Sequence, residues 1–570
     1  MKRMMRHGAE PGQSEASAPL DLLLTQASHG ALRRFVPLRS GAAFVGALVR
    51  RPERVAARLT DLASECAKIV IGASEVAPAS HDRRFADPAW TSNPMLRRLV
   101  QAYLAAANTA EGLAQDVPMG WRQSEQVTFA VSNLVEALSP SNNPLTSPVA
   151  WKAAIDTGGG SLISGARNLI GDLARPPRVP SMVDKSGFKV GRDLAATEGS
   201  VVHRSPMFEL IQYRPTTDEV RSVPLMIIPP TINKYYVLDL SPGRSLIEYL
   251  VAQGQQVFVV SWRNPDARHS KWGFDEYAEA IREAFNVVDD ISGVSSVHTV
   301  AACSGGLLAV ITAARRAAET DAKNMERVAS LSLLVTMIDQ SEGGTTGALI
   351  DEHTAASAVA KSRRRGYLDG RQLAEVFAWL RPGDLIWNYW VNNYLQGRRP
   401  PKFDILYWNS DTTRMTAKLH RDFIDVAVGN KLAHPGALSV MGTEIDLGKI
   451  VCDSYVVAGS ADHICPWANC YRSSQLLGGN VRFVLSTNGH IAALVNPPTN
   501  QKSSYQVSDD NKLPAEEWRA SAETVQGSWW PDYAAWLSER SGDLKAAPTT
   551  LGSVQHRVIG EAPGSYVLDQ

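Results

Sequence analysis

A chain of 570 residues is long enough for more than one folding unit. Its 44% hydrophobic and 20% charged content is ordinary for a globular protein in water. The 58 basic residues balance the 58 acidic ones, which excludes the basic excess that a nucleic-acid partner would demand.

Residues 1–35 read as a disordered or loosely attached N-terminus. The basic start Met1-Lys2-Arg3 leads into Gly8-Ala9-Glu10-Pro11 rather than an apolar run, so no secretory signal is expected. Residues 36–198 read as a helical N-terminal domain. Val55, Leu59, Leu62, Cys66 and Ile69 fall three to four apart on one apolar face. Met95, Leu99 and Tyr103 make another, opened by the cap-and-proline start Ser92-Asn93-Pro94. Breakers at Ser139–Pro144 and Gly158-Gly159-Gly160 divide the helices. This part is expected to be structural, without chemistry of its own.

After Arg175-Pro176-Pro177 the period changes, and residues 199–570 read as the catalytic domain. Strands are expected at Ser200–Arg204, Phe208–Tyr213, Pro224–Ile228, Gln256–Ser261, Ser296–Ala302, Ser330–Ile338, Ser454–Gly459 and Val481–Leu485. Helical segments at Arg244–Gln253, Asp275–Ile291 and Gly306–Glu319 alternate with the middle strands, which implies an α/β fold with a mainly parallel, doubly covered sheet. The connection between the sixth and seventh strands is far longer than a crossover needs. This insertion, at about 340–450, carries Trp379, Trp387, Tyr389, Trp390, Tyr394, Phe403, Tyr407 and Trp408, an apolar load that suits a cap over a site or a subunit interface.

The chemistry is concentrated at Ser296–Leu308. A β-branched run enters the small-residue corner Ala301-Ala302-Cys303-Ser304-Gly305-Gly306, and an apolar helical segment leaves it. That is the sequence form of a nucleophile elbow, the tight strand-to-helix turn of α/β-hydrolases. Centred on Cys303 the flanks are Ala301 and Gly305; centred on Ser304 they are Ala302 and Gly306. The window alone does not choose between them. Asp462 follows the seventh strand and His490 the eighth, so nucleophile, acid and histidine stand in the chain order of this fold.

The five cysteines, Cys66, Cys303, Cys452, Cys465 and Cys470, give no disulfide framework. Cys465 and Cys470 are too widely spaced for a zinc knuckle and lack a second pair, so no metal is expected there. The longest uncharged apolar stretch, Thr299 to Ala314, is too short to span a bilayer. No transmembrane segment is expected, and the location is expected to be cytoplasmic.

From about residue 80 onward the chain resembles the polyhydroxyalkanoate synthases, most closely the class II, medium-chain type. The resemblance is carried by Asp82–Trp90, Gln101-Ala102-Tyr103, Asn142–Pro144 with Thr157-Gly158-Gly159, Pro229–Asp239, Val260–Pro265, Trp379–Tyr394, Tyr407-Trp408-Asn409, Asp462-His463-Ile464 and Gly489-His490-Ile491 with Asn496-Pro497-Pro498. It implies an α/β-hydrolase core with a cap insertion behind a helical N-terminal domain, with Cys303 as nucleophile, Asp462 as acid and His490 as base. Ala301 stands where many members carry glycine.

The implied reaction is polymerisation of (R)-3-hydroxyacyl-CoA thioesters into polyester with release of CoA, through acyl-cysteine intermediates. No cofactor is implied, since the CoA thioester is the substrate. The implied partners are the growing polyester chain, the granule surface, granule-associated proteins and a second copy in a homodimer. The backbone N–H groups of Ser304 and Ile232 are expected to serve the oxyanion, and the helix N-terminus is expected to favour the Cys303 anion. Candidate contacts to the CoA phosphates are Lys361, Arg363, Arg364, Arg365 and Arg381. Asp462 is expected to matter more for elongation than for the first acylation. Two other readings start from the same residues: an esterase or depolymerase using Ser304, and a catalytically silent granule-coating protein.

Overall fold

A computed structural model describes residues 38–318, 328–341, 352–380, 382–462 and 464–570. The expected N-terminal tail, 1–35, and Arg381 lie outside these.

Before residue 199 the described chain is helical: α1 Leu38–Val49, α2 Pro52–Ile71, α3 Pro94–Asp116, α4 Trp121–Ala137, α5 Pro148–Asp156 and α6 Gly160–Leu173. Local signals explain the boundaries. The Asn93 side chain accepts the N–H groups of Met95 and Leu96 at 2.9 and 3.2 Å, with Pro94 opening α3. Gly72, at φ +81°, closes α2 in the left-handed conformation.

The remainder is built on one eleven-stranded sheet. Its strands are β1 Gly199–Arg204, β2 Phe208–Tyr213, β3 Leu225–Ile228, β4 Val257–Trp262, β5 Val297–Ala302, β6 Val328–Leu334, β7 Ser454–Gly459, β8 Val481–Ser486, β9 Ser504–Val507, β10 Glu523–Gln526 and β11 Gly560–Glu561. Their order across the sheet is β10-β9-β8-β7-β6-β5-β3-β4-β2-β1-β11. From β4 to β8 every pairing is parallel, and the strands outside are antiparallel. The order β1-β2-β4-β3-β5-β6-β7-β8 reverses at β3, which puts the carboxyl ends of the middle strands over a crevice. β3, β4 and β5 are buried along their whole length, with apolar clusters on both faces of the sheet. Helices α7 Leu246–Ala252 and α8 Phe274–Ser292 connect them, and α9 Ser304–Ala318 follows β5.

The eight strands read from sequence are all present, and the sixth needs correction: it ends at Leu334, not Ile338. Val335 takes φ +44°, outside the extended region, so the chain turns away although its N–H still reaches Val457 O at 2.7 Å. Three further strands of this sheet, β9, β10 and β11, escaped the sequence reading. They run for only two to four residues, too short for a period to show, and β10 is mostly exposed.

The described part of the insertion is helical, with α10 Glu352–Arg365, α11 Gly370–Leu380, α12 Asp404–Ser410 and α13 Ala417–Val428. Its first aromatic run forms an edge-to-face chain, Trp379 to Trp387 at 6.4 Å, Trp387 to Trp390 at 5.8 Å and Trp390 to Tyr394 at 5.2 Å. This chain docks on the N-terminal helical region. Trp390 Nε1–H donates to Asn142 O at 3.0 Å, and Tyr394 O–H donates to Asp172 Oδ2 at 2.7 Å. On α6, a Cβ at Gly165 would lie 1.9 Å from Tyr394 O, so only glycine permits this approach. Among the described residues no helix is long and apolar enough to cross a membrane.

Candidate active site

The elbow forms where β5 gives way to α9. Cys303 holds φ +50°, a conformation that costs an L-residue energy and persists only where its surroundings enforce it. They do so from several sides. Cys303 N–H donates to Leu334 O at 3.0 Å, and Gly306 N–H donates to Cys303 O at 2.9 Å. A Cβ at Gly305 would stand 2.4 Å from Pro229 O, and one at Gly306 would stand 2.1 Å from Thr336 Oγ1. Ala301, by contrast, is a buried strand residue paired with Ile228 and Leu333, a place that tolerates a methyl group.

The two candidate nucleophiles have different surroundings. Ser304 is fully buried, and its Oγ accepts the Thr231 N–H at 3.0 Å and lies 3.1 Å from Thr231 Oγ1. Its hydroxyl is committed to the loop after β3. Cys303 is partly exposed, and its Sγ lies with a His490 ring nitrogen and Cys465 Sγ in a group whose atoms are all within 4.8 Å of one another.

Asp462 sits just past β7, and His490 opens the short helix after β8. Both are buried. Asp462 Oδ2 lies 2.7 Å from His490 Nδ1, while Oδ1 accepts the N–H groups of Ile464 and Cys465 at 2.8 and 2.9 Å. The carboxylate thereby fixes the imidazole with Nε2 turned toward Cys303. Cys303, Asp462 and His490 are brought together as the chain order anticipated.

Burial pulls the His490 imidazole down, but the Asp462 carboxylate and the Cys303 sulfur outweigh it, so its pKa rises from 6.5 to about 10. A hydrogen bond with Cys465 and burial push the Cys303 thiol well above its ordinary value, with His490 pulling the other way. This differs from the expected ready-made anion: the helix N-terminus is present, yet the neighbouring thiol and the loss of water prevail.

Ile232 lies in the loop Pro229–Asn233, which abuts the elbow through Thr231 and through the carbonyls over Gly305. The second half of the insertion steadies this loop. Trp408 Nε1–H donates to Lys234 O at 2.7 Å, and Thr413 Oγ1–H donates to Thr231 O at 3.2 Å. Of the basic candidates, Lys361, Arg363, Arg364 and Arg365 are exposed on the last turns of α10. Arg365 also pairs with Asp369 at 2.9 Å and stacks on Tyr367. Sequence reasoning missed Cys465 as a neighbour of Cys303; its spacing to Asp462 was the only signal, and spacing does not reveal which side chains face across strand ends.

A family description, "Poly-beta-hydroxybutyrate polymerase (PhaC) N-terminus", matches residues 81–250, and "alpha/beta hydrolase fold" matches residues 224–497. The chain is 41% identical over 539 residues to Poly(3-hydroxyalkanoate) polymerase 1 of Ectopseudomonas oleovorans, covering 95% of this chain and 96% of that one. The chain belongs to the poly(3-hydroxyalkanoate) polymerase family. Poly(3-hydroxyalkanoate) polymerase 2 of the same organism is 43% identical over 521 residues, covering 91% of this chain and 92% of the relative. The polymerase subunit of Cupriavidus necator is 40% identical over 504 residues, covering 87% and 84%. The family consists of acyltransferases, and its α/β-hydrolase core is the sheet described above.

Proposed function

We propose that this enzyme polymerises (R)-3-hydroxyacyl-CoA thioesters into polyhydroxyalkanoate with release of CoA, with Cys303 as nucleophile, His490 as base and Asp462 as its positioning carboxylate. The observation that carries this reading is the left-handed Cys303 at the elbow, grouped with a His490 whose Nδ1 is held 2.7 Å from Asp462. Residues 199–570 supply the chemistry, and the helical region described from Leu38 to 198 serves as a docking unit.

In acylation, His490 takes the thiol proton as Cys303 Sγ forms a bond to the thioester carbonyl carbon. The carbon–sulfur bond to CoA then breaks, and the proton passes to the departing CoA thiolate. One thioester replaces another of nearly equal energy, so the acyl group stays activated for the next transfer. Because the thiol pKa is raised, this step leans on His490 more than a preformed thiolate would. Elongation has a chain hydroxyl attack the acyl-cysteine, its proton again going to His490; the carbonyl carbon–Cys303 Sγ bond breaks as the ester forms, and the proton returns to the Cys303 thiolate. Both Asp462 oxygens are already engaged, which favours His490 over Asp462 as the acceptor. The N–H of Ser304, in the first turn of α9, and that of Ile232 serve the oxyanion.

The insertion lies beside the loop carrying Ile232 and limits water, which would otherwise hydrolyse the intermediate; it opens during turnover. Arg363 and Arg364, with Lys361, offer charge to the CoA phosphates. An apolar face on α5 and α6, with Trp151, Ile155, Leu162, Ile163, Ile170 and Leu173 each more than half exposed, suits contact with the polyester granule in the cytoplasm or with a second copy of the chain. The preferred monomer is medium-chain, as the likeness of the Ala302–Gly306 and Trp387–Tyr394 segments to class II members suggests. A pocket discriminates by only about 1–3 kcal/mol per methylene, so short monomers are accepted more slowly.

The test is a purified preparation given (R)-3-hydroxydecanoyl-CoA and (R)-3-hydroxybutyryl-CoA, following CoA with a thiol reagent and polymer by turbidity. CoA release matched by insoluble polyester supports the reading. Free hydroxy acid without polymer would restore the hydrolase alternative, which the commitment of Ser304 Oγ to Thr231 already disfavours. A higher kcat/KM for the four-carbon substrate would overturn the medium-chain preference.

A further inference from the structure

Cys465 has no part in the chemistry above, yet it occupies the most sensitive place in the molecule. The Asp462 carboxylate that orients His490 also accepts the Cys465 N–H at 2.9 Å, which fixes the cysteine backbone. Cys470 Sγ–H donates to Cys465 O at 3.6 Å and ties the same turn from the other side. As a result Cys303 Sγ, Cys465 Sγ and a His490 ring nitrogen all lie within 4.8 Å of one another. Among the described residues no other trio of histidine, cysteine and carboxylate donors converges in this way.

We propose that Cys303, Cys465 and His490 form an inhibitory site for a thiophilic divalent cation of the zinc type. Two sulfurs and one imidazole are the donor set such ions select, and oxygen-seeking cations such as Mg2+ do not. Zn–S and Zn–N bonds of about 2.3 and 2.0–2.1 Å place tetrahedral donors about 3.6–3.8 Å apart, so the trio needs to close by no more than about 1 Å, within reach of side-chain rotation. The arrangement behind the ring is also suited to a metal. Asp462 holds Nδ1, so Nε2, once the ion has displaced its proton, gives the lone pair that binds, which is the carboxylate–histidine pairing that orients metal-bound imidazoles. Cys303 is the one member of the trio that is partly exposed, so the ion enters from its side and keeps water as the fourth ligand.

The earlier expectation of no metal was argued from Cys465 and Cys470; the fold instead pairs Cys465 with two residues distant in sequence. Binding releases the two thiol protons and the Nε2 proton of the His490 imidazolium to solvent and needs no oxidant, so affinity falls as pH falls. The bound ion occupies the sulfur that would attack the thioester. Inhibition, though not binding, therefore rests on Cys303 being the nucleophile.

The test uses the full-length protein in a phosphine reductant that keeps thiols reduced. Zn2+ is titrated against a chromophoric chelator, and Co2+ is followed by its thiolate charge-transfer absorption. One tight equivalent with a two-thiolate cobalt spectrum is expected, lost in Cys465→Ala and weakened in the near-isosteric Cys465→Ser, but kept in Cys470→Ala. The Zn2+ concentration that halves each variant's own uninhibited rate should rise at least tenfold in Cys465→Ala, and EDTA should restore the wild-type rate. Unchanged binding in both Cys465 variants would overturn the site. Binding that depends on Cys465 without any inhibition would uphold the site and overturn the role given to Cys303.

Discussion

Ser304 Oγ accepts the backbone N–H of Thr231 at 3.0 Å, so the hydroxyl next to the elbow sulfur holds the neighbouring loop in place. Both groups are buried, and the bond ties the start of α9 to the loop that carries Ile232. Removing the hydroxyl leaves the Thr231 N–H without this partner, at a cost of about 1–3 kcal/mol. Ser304→Ala is expected to lower the unfolding free energy by that amount and to keep turnover within about tenfold, because its own N–H remains. Cys303→Ala is expected to leave no polymer formation at all. Turbidity and CoA release, measured on both variants, check the contrast.

The pH dependence follows from His490. Asp462 stabilises the imidazolium and raises its pKa to about 10 against the pull of burial. The form able to take a proton is the neutral ring, so single-turnover acylation should rise with pH along a limb lying above the 6.5 of a free imidazole. In Asp462→Asn the stabilising charge is gone, the His490 pKa falls, and the limb moves to lower pH. The plateau should fall for acylation and further for elongation, there by a factor on the order of 10²–10⁴, from loss of ring orientation and of charge stabilisation. Rapid-quench CoA release against pH measures both. A limb that stays in place would mean that His490 is not the group being titrated.

Much of this architecture was legible in the sequence, and the reasons are particular. Ser454–Gly459 is a short, fully buried strand whose bounds are legible because Asp453 and the Ser460-Ala461-Asp462 turn stop the apolar run at its two ends. The order of Cys303, Asp462 and His490 along the chain was enough to suggest that they meet. The choice between Cys303 and Ser304 was not available, since either centring leaves small residues on both sides; it takes the φ of +50° and the engagement of Ser304 Oγ to separate them. Cys465 was invisible for a different reason. Its proximity to Cys303 depends on β5 and β7 ending at the same edge of the sheet, a relation between strands that local periodicity does not carry.

Two glycines on α6 give a paired prediction about the docking of the aromatic run. A Cβ at Gly165 would meet Tyr394 O at 1.9 Å, whereas one at Gly171 meets nothing within 4 Å. Gly165→Ala should destabilise the protein by about 1–3 kcal/mol or more, because backbone has to move. Gly171→Ala should be neutral or stabilising by up to about 1 kcal/mol, since alanine is the better helix former. Denaturant midpoints compared at equal slope decide it. Equal effects at the two positions would show that the helical region is not held against the insertion as described.

The most direct test of the account is to trap the acyl-enzyme. The full-length protein is mixed with (R)-3-hydroxydecanoyl-CoA, quenched in acid within one turnover, digested, and mapped by mass spectrometry. The account predicts one hydroxyacyl group on the peptide containing Cys303, cleaved by hydroxylamine as a thioester is, and absent in Cys303→Ala. An acyl group found on Ser304, or an unlabelled Cys303 in protein that is making polymer, would contradict it.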